Sequence, residues 1–401
     1  MAAKQTIIGT NVGLAVNETK YLNISGKLNS SATEAEKASY FRVNGGVFSN
    51  LAVFLVANTI DATGTFRLRV GSADVNLTTS VTASTTGIFV DNSNTDTIAT
   101  DALVDYKWTV GAGTGTAVIS YTAVVFEPAT NVRIYQQGSN VSVNALATDY
   151  ADLNANSSFT ATEAITQNKT RIAGTLKKAQ VYVTSNASTT AVSVRLRVNT
   201  ANGNNVVSCT ALTTGLFEDT ASTDSVVADD LLNWQLSGAT TGAMTTSLIT
   251  IFMAPSSGTS TMAFGNVSNA ADGATAYNKV AANGNANATE SNVNTPINFD
   301  YTVKNLEVYV GGNATTSAST IDLRINSASS AVTVSVTAGT TGFFSDTSNS
   351  SNGTSGQGLD LRVVNGGGGT LTSMTQSFEM TETVAVVGDL DGLKSYIFMA
   401  A

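Results

Sequence analysis

The chain has 401 residues, of which 42 % are hydrophobic and only 12 % charged, with a formal charge of −9. Affinity for a nucleic-acid backbone or an anionic membrane comes from clustered Lys and Arg, so this balance excludes both as natural partners. There is no histidine and one cysteine, Cys209, which excludes Ser-His-Asp and Cys-His nucleophilic chemistry, nearly all catalytic zinc sites and any intrachain disulfide.

From the amino end, Met1 to Gly13 carries one positive charge and lacks the apolar run of a signal peptide. No later stretch reaches membrane-spanning length, so the expectation is a chain made in a cytoplasm without export. Strand-like Thr6-Ile7-Ile8 and Tyr21-Leu22-Asn23-Ile24 come first, followed by a polar segment, Ser30 to Ser39, with Glu34 and Glu36. Leu51 to Val56 reads as a buried strand. In Thr65 to Val70, period-two alternation places Phe66, Leu68 and Val70 on one face and Arg67 and Arg69 on the other. The segment TTGIFVD (Thr85 to Asp91) follows, then Tyr106-Lys107-Trp108-Thr109-Val110, a glycine-rich turn, and a closing strand Ala117 to Phe126 ended by Pro128, since proline cannot donate to a sheet ladder.

The same order then recurs. TTGLFED starts at Thr213 and TTGFFSD at Thr340, spacings of 128 and 127 residues from copy to copy, which marks three copies of one supersecondary unit. Val194 to Val198 repeats the arginine strand, Trp234 repeats Trp108, and Ile251-Phe252-Met253-Ala254-Pro255 repeats the closing strand. In the third copy Ile321 to Ile325 carries Arg324, and Leu361 stands where the others have tryptophan. Apolar phasing puts the last closing strand near Leu371 to Met380, yet the best match to Ile251-Phe252-Met253-Ala254 is Ile397-Phe398-Met399-Ala400. Either residues are inserted before that strand or a C-terminal segment has been added.

These patterns predict an all-β protein of three tandem β-sandwich, jelly-roll-like domains of about 127 residues, at 1–128, 129–255 and 256–401, the last with an insertion or extension. Linkers near Pro128 and Pro255 are short and leave the units little freedom.

No residues are identified as catalytic, cofactor-binding or metal-binding, and no cofactor is expected. Glu163 with Asp149 and Asp152, or Asp219 with Asp224, are the carboxylate pairs a glycosidase would need, but nothing selects one. Asp91 and Asp96 recur as Asp219 and Asp224, whereas Asp346 has Ser351 at the second position. Asp91, Asp219 and Asp346 are read as Asx turn caps rather than calcium ligands. The glycine of TTG is expected at positive φ. Arg67, Arg195 and Arg324 are read as outer-face charges that discourage edge pairing. Trp108, Trp234 and Cys209 are read as core, and Gly366 to Gly369 as a hairpin loop without the lysine of a phosphate loop.

Tandem jelly-roll units rich in Asn, Thr, Ser and Gly, with TTG-x-F-x-D turns followed by a strand like Leu232-Asn233-Trp234, resemble virion structural proteins of tailed bacteriophages. The resemblance implies a non-enzymatic protein on the outer surface of a phage particle, made in the host cytoplasm. It suggests a head decoration (cement) protein bridging major capsid subunits or other virion proteins, as a pseudo-threefold monomer or a homo-oligomer. The alternative is a tail fibre or adhesin-type carbohydrate-binding protein, with the tryptophans stacking on sugars.

Overall fold

The computed structural model describes residues 4–16, 18–41, 45–143, 147–153, 159–238, 241–283 and 286–383. Eight long strands build the first sandwich: β1 (Gln5–Ala15), β2 (Thr19–Leu22), β3 (Gly46–Asn58), β4 (Gly64–Val70), β5 (Ala73–Val81), β6 (Gly87–Ile98), β7 (Ala102–Val110) and β8 (Thr116–Pro128). The second has β9 (Arg133–Val143), β10 (Asp149–Ala151), β11 (Gly174–Asn186), β12 (Val192–Val198), β13 (Ala201–Cys209), β14 (Gly215–Val226), β15 (Leu231–Ser237) and β16 (Met244–Pro255). The third has β17 (Ser260–Val267), β18 (Thr275–Lys279), β19 (Tyr301–Asn313), β20 (Ser319–Ile325), β21 (Ala328–Val336), β22 (Gly342–Gly353), β23 (Gly358–Val364) and β24 (Leu371–Glu382). The helical residues described are three single 3-10 turns, Glu34–Glu36, Glu163–Thr166 and Glu290–Asn292.

In the first sandwich the two sheets run β1-β8-β3-β6 and β2-β7-β4-β5, and the others repeat this order. Placing the first strand beside the last and the second beside the seventh, all antiparallel, is the double Greek key of a jelly roll. Local chemistry fixes the turns. Hairpins β4–β5, β12–β13 and β20–β21 close on Gly71-Ser72, Asn199-Thr200 and Asn326-Ser327, each with both residues at positive φ, the type I′ geometry that matches strand twist. The TTG glycines, Gly87, Gly215 and Gly342, sit at φ 119, 113 and 113, as expected from the motif.

Burial on the strands explains their composition. The register corrects the match of the two tryptophans: Trp234 and Leu361 occupy the position that Tyr106 holds in the first sandwich, and Trp108 aligns with Leu236 and Val363, all of them 0 % exposed. Cys209 is buried too, and burial pushes its thiol up to about 12, so it is a core residue without reactivity. The closing strands β8 and β16 are buried on both faces along most of their length. Burial on one face is what a sandwich requires, so the second face must be covered from outside. The third closing strand is Leu371–Glu382, as the phasing indicated, so nothing is inserted before it. Ile397 to Ala400 lie outside the described residues.

Candidate functional site: the junctions and faces of a three-sandwich ring

What covers the outer face of each closing strand is the 3-10 turn of the sandwich before it in a cycle. Ser247 Oγ on β16 donates to the Glu36 carbonyl at 2.7 Å. Thr375 Oγ1 on β24 donates to the Gln167 carbonyl at 3.2 Å. Ser120 Oγ on β8 donates to the Asn292 carbonyl at 2.8 Å. Ser120 and Ser247 stand at the same strand position; Thr375 stands one residue further on, where the first sandwich has Tyr121, whose hydroxyl donates to the Asn294 carbonyl at 3.1 Å. The Ser120 and Tyr121 contacts return from the last sandwich to the first. A head-to-tail contact repeated by a rotation that closes gives a ring, here within one chain.

The cores interlock in the same sense. The first core takes in Phe252 of the second sandwich, the second takes in Met262 and Phe264 of the third, and the third takes in Ile8 and Val125 of the first. At the centre the Gln5 carboxamide donates to the Ile134 carbonyl at 2.8 Å and accepts the Ile134 N–H at 3.0 Å, and Lys4 pairs with Glu382 at 2.9 Å. Separating the sandwiches would expose these apolar side chains, so the three move as one body.

The junctions are not equivalent. Between the second and third sandwiches Glu307, 2 % exposed, takes Lys169 at 2.8 Å and Arg171 at 3.6 Å, and Lys169 also lies 4.6 Å from the centre of the Phe343 ring. Between the third and first, the matching strip carries Ile88 and Val90, 46 % and 51 % exposed. They line a cavity of about 200 Å³ with Asn50, Leu51, Pro296 and Asn298.

The recurring polar residues resolve into three clamps. Asp91 accepts the Thr78 N–H at 2.9 Å across the sandwich and the N–H groups of Ser93 and Asn94 in its own turn; Asp219 and Asp346 do the same with Val206 and Thr333. Burial alone would raise the Asp91 carboxyl, but the donors of Asn94, Thr78 and Ser93 outweigh it and hold it below its usual range. These residues are therefore Asx caps, and they also satisfy donors on strands β5, β13 and β21, which end their sheets. Asp96 and Asp224 extend that role to the N–H groups of Leu77 and Asn205. Ser351 Oγ substitutes in the third copy by accepting the Ala331 N–H at 2.9 Å.

The second clamp corrects the reading of the arginine strands. The register aligns Arg324 with Arg69 and Arg197, not with Arg67 and Arg195, whose counterpart is Asp322. Arg324 and Arg69 are only 8 % and 7 % exposed, and their strands lie inside the sheet order, so they guard no edge. Each instead pairs with the glutamate that opens a 3-10 turn: Arg69 with Glu34 at 2.6 Å, Arg197 with Glu163 at 3.0 Å and Arg324 with Glu290 at 2.6 Å. A second guanidinium nitrogen donates to the carbonyl of Ser72, Thr200 or Ser327 in the type I′ turn. Glu163 is thus held by Arg197. The sequence signal was present in Ala-Thr-Glu, repeated at 32–34, 161–163 and 288–290, but the mate of each glutamate is 34 or 35 residues away.

Third, Asn58, Asn186 and Asn313 each donate to two carbonyls of the TTG loop, for Asn58 those of Thr82 and Thr85 at 3.1 and 2.9 Å. The glycine run packs as a hairpin loop, with Asn365 donating to the Gly369 carbonyl. Both tryptophans being buried, neither presents a ring to a sugar.

No family model matches this chain, and no curated protein matches it. Two solved structures are similar along most of its length. One is described as the triple jelly roll fold and turret assembly in an archaeal virus, at 12 % identity over 93 % of this chain and 90 % of that one, with a TM-score of 0.22. The other is the atomic structure of Sulfolobus turreted icosahedral virus, at 12 % identity over 94 % and 92 %, with a TM-score of 0.21. Superposition at these scores transfers neither geometry nor role, and the jelly-roll assignment rests on strand order.

Proposed function

We propose that the protein is a structural component of a virus particle, a decoration or cement protein whose three fused jelly rolls bridge neighbouring capsid subunits. The observation that carries this reading is ring closure: hydroxyl-to-carbonyl contacts from a closing strand to the 3-10 turn segment of the preceding sandwich at all three junctions give one chain a preformed pseudo-threefold shape. A rigid body loses little conformational entropy on docking, which suits a clamp over a threefold or quasi-threefold position of a shell. The chemistry agrees, because the recurring carboxylates are committed to backbone N–H groups and arginines. Role and location are tested together by labelling the protein in purified particles and imaging them. Density at threefold positions of the shell is expected, and density on a tail or fibre would overturn the cement reading. The carbohydrate-binding alternative loses its tryptophans to the core.

A further inference from the structure

The seam between the third and first sandwiches is the junction the chain does not run through, so contacts across space must close the ring there. At that seam Lys279 of β18, 1 % exposed, donates through Nζ to Asn11 Oδ1 of β1 at 2.8 Å, across 268 residues of chain. A buried ammonium without a counter-charge is costly. Burial pushes this amine down to about 8, and no carboxylate opposes the fall, so near neutral pH it is in part an uncharged nucleophile resting on an amide carbonyl. Asn11 is presented by the backbone: β1 leaves its pairing with β8 between Thr10 and Val12, and Asn11 takes φ 57, a left-handed conformation that asparagine tolerates.

Continuing the strand register by one residue, the equivalent places in the first and second sandwiches hold Asn23 and Asp152. Of these three places, lysine stands at the seam. Its cross-strand partner is Asp360 of β23, on the same face with Cβ atoms about 4.5–5.5 Å apart in such pairs. Asp360 is 0 % exposed, and no N–H of the described residues donates to either oxygen. Glu290, Asp322 and Arg324 face it, and burial, reinforced by Glu290, pushes its carboxyl up to about 8. A carboxylic acid therefore stands beside an amine that touches an amide.

We propose that Lys279 and Asn11 condense into an isopeptide bond that closes the ring covalently, with Asp360 relaying the proton. Nζ attacks Cγ of Asn11. The Nζ–Cγ bond forms, the Cγ–Nδ2 bond breaks, the proton shed by Nζ passes through the Asp360 carboxyl to Nδ2, and one ammonia departs. The inference rests on the seam and not on any role in a particle.

Intact mass of the full chain, denatured after prolonged incubation near pH 8, tests it. The chain should be one ammonia lighter than its sequence requires, and a tryptic digest should contain a branched peptide that joins the Asn11 and Lys279 segments and is uncut after Lys279. Lys279→Met and Asn11→Gly should each restore the full mass, glycine keeping the left-handed backbone at position 11. Asp360→Asn reproduces the amide that the second sandwich carries at Asn233 and should slow bond formation about a hundredfold, with Asp360→Glu recovering the rate. A parent chain of full mass would overturn the proposal. So would an ammonia loss that survives Lys279→Met, which would belong to succinimide formation at an Asn-Gly step. An Asp360→Asn chain that reacts as fast as the parent would overturn the proton relay.

Discussion

Replacing Asp105 by asparagine should remove its share of a pH dependence of stability that the fold imposes on itself. Asp105 on β7 is 1 % exposed, and burial, reinforced by the charge of Glu34, pushes its carboxyl up to about 9 against the opposing pull of Arg69 and Lys107. Asp74 also faces it and adds to the rise. Asp360 holds the same place in the third sandwich and is pushed up to about 8 by burial and Glu290. The second sandwich has Asn233 there, fully buried and donating to Thr166 Oγ1 at 3.0 Å. An amide is the neutral isostere of a protonated acid, so one copy already makes the substitution. Because the folded pKa lies above the unfolded one, the native state keeps a proton that the unfolded chain releases. Stability from this group is complete below about pH 4 and is lost as pH rises towards 9, by up to about 1.4 kcal/mol per pH unit. From pH 6 to 8 that is on the order of 3 kcal/mol for Asp105. Denaturant unfolding at pH 5, 6, 7 and 8 avoids the range in which the depressed carboxylates titrate. The advantage of Asp105→Asn over the parent should widen steadily from pH 5 to pH 8, while Asn233→Asp should steepen the decline. Parallel curves for Asp105→Asn and the parent would refute the reasoning.

Arg197→Ala should cost about 2 kcal/mol or more by leaving Glu163 half-buried without its partner, read by denaturant unfolding and by faster proteolysis at the Glu163–Thr166 turn. Gly87→Ala meets no atom within 4 Å and suffers only from its φ of 119, about 1–2 kcal/mol. Gly115→Ala brings Cβ to 2.2 Å of the Thr59 carbonyl and should lower the melting temperature more than Gly87→Ala does. Glu307→Ala leaves Lys169 and Arg171 facing an apolar junction and should cost about 3 kcal/mol. Hydrogen exchange should rise first at the junction of the second and third sandwiches, and uniform change across the ring would contradict the local assignment.

Much was settled by residue order alone. Period-two alternation in Thr65 to Val70, turn residues at regular spacing and the TTG-x-F-x-D repeat give three all-β units, and Leu361 could be placed on the tryptophan strand because burial tolerates any large apolar side chain. Residue order left the last closing strand open between the phasing at Leu371 to Met380 and the closer match at Ile397 to Ala400, and the pairing of Leu371–Glu382 in the structure decided it. What the residue order could not decide was pairing across distance. Arg324 was grouped with Arg67 and Arg195 because residues two apart on a strand share a face, and only the register shows that it stands with Arg69 and Arg197 and has Glu290 as its mate. Ring closure was equally hidden: a Ser or Thr hydroxyl on a closing strand looks like any solvent-facing polar residue until the neighbouring sandwich is set against it. Local sequence determines which segments become strands; the meeting of three sandwiches determines which of their outer faces are buried, because only a closed cycle supplies each of them with a cover.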